Sequence, residues 1–301
     1  MITIENLTKR YGTTLAVDDV SFTASPGRVT GFLGPNGAGK STTLRIMVGL
    51  TRPDAGSATI AGRRYVDLPN PGLEVGVLLD ASAQHAGRTG IETLRLTARL
   101  VGLPPSRATE MLERVGLGGA GTRRVGDYSL GMRQRLGIGT ALLGDPAVLI
   151  LDEPANGMDP EGIRWMRLLL HEFAAGGGTV LLSSHLLAEV QATVDRLVVI
   201  GQGRILADDS LQALLAGQGT TVRCLDPGPL DAALRRAGFE TSRTDHGALR
   251  VRATAEAVGR IAAAEQQVLL ELRDGDSTDL EALFFELTSA TSLTPATPAA
   301  A

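Results

Sequence analysis

Apolar residues in the larger, N-terminal part of the chain fall into short runs, separated by stretches of helical periodicity. Residues 2–7 alternate between apolar and polar side chains, which is the period of a half-buried strand. Residues 29–33 and 147–151 are almost continuously apolar, as is typical of strands buried on both faces of a parallel sheet. Further strands are predicted at residues 19–24, 58–60, 75–79, 179–183 and 196–200. This alternation of strands and helices predicts an α/β domain.

A stretch of helices interrupts this pattern at about residues 81–144. Thr89 and Glu92 have the spacing of a capping box at a helix start. Two prolines separate that helix from a second, and Ser129 is the expected N-cap of a third. Asp159, directly before a proline, is the expected N-cap of a later helix that ends at three glycines. We therefore expect a helical insert within the α/β domain.

A second unit is predicted after residue 218. Strand and helix patterns follow in the order β-α-β-β-α-β-α, with a turn at residues 245–247, and this order resembles a split βαβ, ferredoxin-like α+β unit. The last residues are rich in Thr, Ser, Pro and Ala, a composition typical of disorder. The predicted domains are therefore 1–218, 219–287 and a disordered tail, 288–301.

Composition narrows the class of protein. The chain has 301 residues, 43% of them hydrophobic, so it can bury a sizeable core. Its net charge of −4 argues against a domain built mainly to bind nucleic acid. The single cysteine, Cys224, excludes a disulfide within the chain. No apolar run is long enough to span a membrane and no signal peptide is evident, so we expect a soluble protein in a reducing compartment.

A glycine-rich turn follows the predicted strand at residues 29–33. It fits the pattern G-x-x-x-x-G-K-[ST] and consists of Gly34, Pro35, Asn36, Gly37, Ala38, Gly39, Lys40, Ser41 and Thr42. Glycines let successive backbone N–H groups wrap a polyphosphate, and the following helix adds its positive end. Lys40 can reach the β- and γ-phosphates, and the Ser41 hydroxyl can bind Mg²⁺. The alternative is a flexible turn beside a lysine, but the context of strand, turn and helix favours phosphate binding.

Two adjacent carboxylates, Asp152 and Glu153, end the apolar strand at residues 147–151. Ligands bind at the carboxyl ends of parallel strands, so these side chains are expected at the phosphate site. Asp152 can hold Mg²⁺ directly or through water, and Glu153 can polarise an attacking water. The alternative is that the two residues only begin a solvated loop.

With these residues in place, the segment from residue 1 to about 215 resembles the nucleotide-binding domain of an ABC-type ATPase. The phosphate loop resembles Walker A and residues 148–154, VLILDEP, resemble Walker B. Residues 128–135, YSLGMRQR, resemble the family signature, and residues 156–159, NGMD, the D-loop. His185 matches the switch histidine, and Tyr11 lies where the family stacks an aromatic ring on adenine.

The resemblance implies that two copies sandwich two ATP molecules with Mg²⁺. Ser129 and Gly131 of one copy would bind the ATP held by the phosphate loop of the other. Asp159 would join the two sites, His185 would contact the γ-phosphate, and Glu153 would be the base for hydrolysis. The alternatives are helix caps for Ser129 and Asp159, a surface aromatic for Tyr11 and a helix-start residue for His185.

Two positions depart from the family pattern. Asp80 stands where the family has glutamine, and as a carboxylate it is a candidate Mg²⁺ ligand. Leu130 adds bulk where the signature usually has glycine. Elsewhere, Gln84 and His85 are expected to be solvated loop residues, and Arg133 and Arg135 are expected to form ion pairs.

The function implied is that of an ATP-hydrolysing subunit of an exporter for a drug, antibiotic or lipid-like molecule. Such a subunit works through a separate membrane permease, at the cytoplasmic face of the cell membrane. One alternative is a soluble ABC ATPase that acts on ribosomes or DNA, although the chain has one Walker A motif and no sustained heptad pattern. Another is a regulatory protein that holds ATP with little turnover.

Overall fold

A computed structural model describes residues 1–216, 219–243, 247–274 and 279–292. The chain divides into two compact units, Met1–Asp208 and Asp209–Ala290. The strands of the first unit are β1 (Ile2–Tyr11), β2 (Thr14–Ala24), β3 (Arg28–Leu33), β4 (Ala55–Ile60), β5 (Val75–Leu78), β6 (Val148–Asp152), β7 (Thr179–Ser184), β8 (Arg196–Gly201) and β9 (Arg204–Ser210). Its helices are α1 (Lys40–Met47), α2 (Pro71–Glu74), α3 (Gly90–Leu100), α4 (Ser106–Arg114), α5 (Leu130–Leu142), α6 (Pro160–Ala175) and α7 (Leu187–Thr193).

The main sheet of the first unit has six strands in the order β5-β6-β7-β3-β8-β9. The pairs β5–β6, β6–β7, β7–β3 and β3–β8 are parallel, and their apolar runs are buried. Because parallel strands end at the same edge, the residues after β3, β6 and β7 meet there. The register places Asp152 opposite Ser183, and Leu33 opposite Ser184. This edge positions the candidate site, and the α/β prediction is confirmed for this unit.

A second sheet of the first unit is antiparallel, with the strand order β2-β1-β4. Its inner face shares a core with the main sheet, where the rings of Phe22 and Phe32 lie 5.1 Å apart. Strand β1 extends to Tyr11, past the predicted end at residue 7, because it pairs with β2 across a tight turn. Bulges interrupt the pairing, so the simple alternation of apolar and polar residues stops before the strand does.

Helices α3, α4 and α5 occupy the stretch between β5 and β6. The predicted capping box at the start of α3 is confirmed. Glu92 N donates to Thr89 Oγ1 at 3.3 Å, and Thr89 N donates to Glu92 Oε2 at 2.8 Å. This reciprocal pair satisfies two backbone donors that a helix start leaves without partners.

The second unit has the elements α8 (Leu211–Ala216), β10 (Thr220–Cys224), α9 (Pro227–Arg236), β11 (Thr241–Arg243), β12 (Leu249–Val251), α10 (Ala255–Ala264), β13 (Leu269–Asp274) and α11 (Asp279–Ser292). Its sheet has the order β11-β12-β10-β13, and each neighbouring pair is antiparallel. Helices α9 and α10 contribute to its core through Leu230, Leu234 and Val258. The order of elements supports the ferredoxin-like description, which stays a prediction.

The sequence-based domain boundaries also stay predictions. Helix α11 extends to Ser292, so the first residues of the predicted tail are helical, and residues 293–301 lie outside the described part. Most of the predicted turn at residues 245–247 lies outside it as well. Within the described ranges, no helix combines the length and the apolar character needed to cross a lipid bilayer.

Candidate nucleotide site

The glycine-rich loop connects β3 to α1 and can only be built with glycine at two of its positions. A Cβ at Gly34 would come within 2.3 Å of the Ile200 carbonyl oxygen. At Gly39 it would come within 2.4 Å of the Ala16 carbonyl oxygen, and Gly39 also has a φ of 108°. The loop therefore packs closely between β8 and β2. A glycine-rich loop in this position, followed by a helix, is the type of backbone that can wrap a phosphate chain.

Lys40, the first residue of α1, lies inside the loop. Its side chain is buried, and Nζ donates to the carbonyl oxygens of Gly34 at 2.6 Å and Pro35 at 3.3 Å. Burial lowers the pKa of Lys40, while the negative charges of Glu153 and Asp152 act in the opposite direction. A buried ammonium held by carbonyl groups favours a multiply charged anion as its ligand.

Asp152 and Ser41 meet at the edge of the sheet. Ser41 Oγ donates to Asp152 Oδ2 at 3.0 Å, and the Ser183 hydroxyl donates to the other carboxylate oxygen, Oδ1. A serine hydroxyl and a carboxylate are hard oxygen ligands of the kind that Mg²⁺ prefers. Among the described residues no three His, Cys, Asp or Glu side chains form a metal cluster.

Asp80 follows β5 and faces the same region. Its carboxylate Oδ1 accepts from Ser82 N at 2.7 Å and from Ser82 Oγ at 2.6 Å. The bond from the Ser82 hydroxyl is the main cause that lowers the pKa of Asp80. The carboxylate therefore stays ionised and adds negative charge to the wall of the site, where a cation would be attracted.

Glu153 turns the chain sharply after β6, with a φ of 50°. Its N–H points at β7 and donates to Ser183 O at 3.2 Å and to Ser183 Oγ at 3.1 Å. Its carboxylate Oε2 lies 2.7 Å from His185 Nδ1. Main chain and side chain are thus both fixed by the segment at the end of β7, and the carboxylate of the candidate base is held in place.

A cavity of about 350 Å³ brings most of the predicted residues together. Its lining includes Asn36, Gly37, Gly39, Lys40, Ser41, Thr42, Asp80, Asp152 and Glu153. Eight other predicted residues do not line it, namely Tyr11, Gly34, Pro35, Ala38, Ser129, Gly131, Asp159 and His185. Of these, His185 reaches the site through Glu153.

Tyr11 ends β1 and is 49% exposed. The Lys9 ammonium lies 5.4 Å from the centre of its ring. An exposed ring beside a cation is available to stack on a planar base.

Ser129 and Asp159 cap their own helices. Ser129 Oγ accepts from Met132 N at 3.2 Å at the start of α5, and Asp159 Oδ1 accepts from Gly162 N at 2.8 Å at the start of α6. Both residues are exposed. Both helix starts are therefore accessible at the surface of the chain.

Leu130 contacts the D-loop segment of its own chain. A Cβ at Gly157 would come within 2.2 Å of Leu130 Cδ2, so the leucine side chain lies directly over Gly157. Gly157 itself has a φ of 73°. The departure from the usual glycine therefore joins the signature segment to the loop after β6.

The structure corrects three expectations around α5. Gln84 is half-buried, not solvated, and its Nε2 donates to the Arg133 carbonyl oxygen at 3.1 Å. Arg133 and Arg135 form no ion pair within the described residues. Arg133 Nη2 donates to Gly126 O at 3.0 Å, and the Arg135 guanidinium lies 4.5 Å from the centre of the Trp165 ring. These arginines lie beside carbonyl groups and an aromatic face instead of carboxylates. His85 is exposed, as expected.

Sequence reasoning missed five residues that line the cavity, namely Ala16, Leu79, Ala81, Gln134 and Asn156. Gln134 on α5 is buried, lines the cavity, and donates from Nε2 to the Glu153 carbonyl oxygen at 3.3 Å. Its only signal in the sequence is that it lies within the signature stretch, which does not indicate the face of α5 that it occupies.

The parallel sheet, the phosphate loop after β3 and the carboxylates after β6 define a nucleoside triphosphatase of the P-loop class. Residues 17–156 match a family model described as ABC transporter, and residues 218–281 match one described as a domain of unknown function. A bacitracin transport ATP-binding protein of Bacillus licheniformis is 40% identical over 211 residues, which are 69% of this chain and 69% of that protein. The chain belongs to the family of ABC transporter ATP-binding proteins, which are ATPases.

Two further comparisons agree with this assignment. A daunorubicin resistance ATP-binding protein of Streptomyces coeruleorubidus is 37% identical over 241 residues, covering 77% of this chain and 76% of that protein. A solved ATP-binding subunit of an ABC transporter is 30% identical and covers 71% of this chain and 91% of its own, with a TM-score of 0.66.

Proposed function

We propose that this chain binds and hydrolyses Mg-ATP to energise an exporter of a drug, antibiotic or lipid-like molecule. The observation that carries the ATPase part is one cavity lined by Lys40, Ser41, Asp152 and Glu153. The relatives named for bacitracin transport and daunorubicin resistance support the choice of cargo class. The chain would work at the cytoplasmic face of the membrane, through a separate permease subunit.

Within the cavity, residues 34–42 would bind the phosphate chain with their amides, and Lys40 would neutralise its terminal charges. Ser41, Asp152 and Asp80 would hold Mg²⁺, which when bound draws negative charge away from the phosphate oxygens. The oxygen atoms at these three positions fit such an ion. Tyr11 would stack on the adenine from the end of β1.

Glu153 would accept a proton from the water that attacks the γ-phosphate. The structure supports this role through the position of its carboxylate on the cavity wall. His185 is bonded to the same carboxylate and would exchange that bond for one to the γ-phosphate when ATP is present. Glu153 and His185 would then respond to the nucleotide together.

The site would be completed by a second copy of this chain. Ser129, Gly131 and Asp159 do not line the cavity of their own chain, and Ser129 and Asp159 are exposed at helix starts. A helix start presents backbone N–H groups and a positive dipole, so Ser129 suits a γ-phosphate offered by a partner. We expect no nucleic-acid partner, since the chain carries a net charge of −4.

Movement of the permease would follow from closing and opening of this dimer. A ligand shifts a conformational equilibrium only by its differential affinity for the two states. ATP contacts both copies only in the closed dimer, so binding would favour closure and hydrolysis would release it. The segment that begins at Asp80 would transmit the closing and opening of the dimer to the permease, because Asp80 is a candidate metal ligand in the nucleotide site.

Glu153→Gln tests this function directly. The amide keeps the shape of the side chain but cannot accept a proton, so we expect roughly a 100-fold or greater loss of phosphate release with ATP binding retained. An ATP-dependent dimer should accumulate in size-exclusion chromatography. Glu172→Gln, on the exposed face of α6, is the matched control and should behave as wild type. Undiminished turnover in Glu153→Gln would show that another group acts as the base.

Coexpression tests the transport part. The chain should copurify with a membrane permease, and its ATPase activity should change in that complex. Failure to find a membrane partner, together with normal activity of the chain alone, would favour the non-transport alternative.

A further inference from the structure

Gln134 links the signature helix to the candidate base of the same chain. Helix α5 begins at Leu130, capped by Ser129, and Gln134 lies little more than one turn further along. Its side chain is 5% exposed and its Nε2 donates to the Glu153 carbonyl oxygen at 3.3 Å. The residue therefore faces the end of β6, whereas Ser129 is exposed at the helix start.

The chemistry of this contact fixes the orientation of the amide. The Glu153 carbonyl oxygen can only accept a hydrogen bond, so the NH₂ group of Gln134 must face it. The amide oxygen, Oε1, then points elsewhere. It is buried and has no hydrogen-bond partner within the described part of the chain.

A buried acceptor without a partner is uncommon in folded proteins, because it has lost its hydrogen bonds to water. Gln134 also lines the cavity that holds Lys40, Asp152 and Glu153. The unpaired oxygen thus belongs to a side chain of the phosphate site, and a hydrogen-bond donor bound in that site is the simplest partner for it.

Position 80, on the same cavity, has an aspartate where the family has a glutamine, so it does not offer a neutral amide. Asp80 lines the same cavity with a carboxylate group, and Ser82 donates two hydrogen bonds to one of its oxygens. A carboxylate attracts the metal ion, but it adds negative charge beside a phosphate. Gln134 is the cavity-lining residue whose side-chain amide bonds to Glu153. Asn156 also lines the cavity, but it bonds to the same carbonyl oxygen through its main-chain N–H, at 3.1 Å.

We propose that Gln134 is a positioning residue for the attacking water. Its Nε2 holds the Glu153 main chain. Its Oε1 accepts a hydrogen bond from one O–H of the water, while the Glu153 carboxylate accepts a hydrogen bond from the other. With both hydrogens engaged, a lone pair of the water is directed at the γ-phosphorus. The water oxygen then bonds to phosphorus, the bond to the bridging oxygen breaks, ADP leaves, and the proton shared with Glu153 passes to that carboxylate.

This proposal rests on the ATPase function proposed above. It assigns Gln134, a residue of α5, a role in hydrolysis of the ATP that is bound by the phosphate loop of the same chain. It makes α5 serve two sites, with Ser129 offered to the partner's nucleotide and Gln134 acting on the nucleotide bound by its own loop.

The experiment compares Gln134→Met with Gln84→Met. Both glutamines are at least partly buried, donate to a carbonyl oxygen and have an Oε1 without a partner among the described residues. Of the two, Gln134 lines the cavity and Gln84 does not. The methionines keep the length of the side chain and remove the amide. We expect kcat to fall roughly 10- to 100-fold for Gln134→Met, with the KM for ATP within about 3-fold of wild type. Gln84→Met should keep kcat within about 3-fold.

Three outcomes are distinguishable. If the wild-type chain hydrolyses ATP and Gln134→Met has the same kcat, the positioning role is overturned, whereas the proposed ATPase function is retained. Equal losses in both variants, with matching drops in thermal stability, also overturn it, since the effect would be structural. A wild-type chain with no Mg²⁺-dependent hydrolysis overturns the proposed function and this role together. Gln134→Asn, which keeps the amide on a shorter side chain, should recover part of the lost kcat.

Discussion

His185 Nδ1 lies 2.7 Å from Glu153 Oε2, so the segment after β7 holds the carboxylate that follows β6. Both side chains remain partly exposed to solvent. One carboxylate oxygen is therefore occupied by the imidazole before any nucleotide is considered. If His185 moves to the γ-phosphate, that oxygen becomes available to the attacking water, and nucleotide binding and base activation become one event.

His185→Ala should lower phosphate release by roughly 100-fold or more, because the γ-phosphate would lose a contact that strengthens as charge develops. Nucleotide binding should weaken much less. His171→Ala is the control, since that histidine lies on the exposed face of α6. Similar steady-state rates for the two variants would mean that the pair with Glu153 has no catalytic consequence.

Lys40→Ala should abolish the stabilisation of the chain by Mg-ATP. Wild type should gain about 2.7 kcal/mol at a ligand concentration of 100 times Kd, and the variant should gain nothing measurable. Without nucleotide the two should differ by only about 1 kcal/mol, since the loss of two hydrogen bonds is offset by removal of a buried charge. Tm measured with and without Mg-ATP checks both statements.

The direction in which Lys40 makes folding stability depend on pH follows from its lowered pKa. Burial lowers the pKa of Lys40, so the unfolded chain holds this proton more tightly than the folded chain. The charged ammonium therefore opposes folding most strongly at pH values below its folded pKa. That opposition declines as pH rises from the folded pKa towards the higher unfolded pKa, so stability increases with pH across this window. For the Mg-ATP experiment, Arg64→Ala is a suitable control, because Arg64 forms an exposed ion pair with Asp67. This variant should keep the increase in Tm that Mg-ATP produces in wild type.

Asp80→Gln should retain or raise ATPase activity and require more Mg²⁺ for half-maximal rate. The substitution removes a negative charge from the cavity wall and replaces a strong oxygen ligand with a weaker one. Ser82→Ala keeps the carboxylate and removes only the hydroxyl bond, so its Mg²⁺ dependence should stay close to wild type. Superimposable Mg²⁺ titrations for Asp80→Gln and wild type would exclude contact with the metal.

Gly157→Ala should destabilise the first unit by about 1–2 kcal/mol, because position 157 has a left-handed backbone. In addition, the new Cβ would collide with Leu130. Leu130→Gly should relieve only the collision, so the double variant should show a coupling of about 0.5–3 kcal/mol. Equal losses of Tm for Gly157→Ala in both backgrounds would mean that Leu130 does not constrain the D-loop segment.

Local features of the site follow from the sequence, because neighbouring residues determine them. The glycines of the phosphate loop and the caps Thr89 and Asp159 depend on backbone geometry within a few residues. The meeting of Ser41 and Asp152 follows from one rule, that parallel strands present their carboxyl ends at the same edge.

Contacts made by α5 could not be read from the chain, because they depend on how the helix turns against the sheet. Gln134 on α5 bonds to Glu153, which follows β6, so the contact joins two separate elements. The periodicity of the sequence does not indicate which polar residue of α5 is buried. The polar loop around Gln84 predicts a solvated side chain, but the residue is half-buried and its amide donates to the carbonyl oxygen of Arg133 on α5. Arg135 found an aromatic face on α6, a contact that counting carboxylates along the helix cannot predict.

The caps at Ser129 and Asp159 have a consequence for association. Each side chain is already fixed in one rotamer by a hydrogen bond within its own chain. Ordering a mobile side chain at an interface costs about 0.5–1.5 kcal/mol, and here that loss has occurred during folding. Two copies would thus meet through preorganised surfaces, and separation after each turnover would leave both surfaces ready for the next encounter.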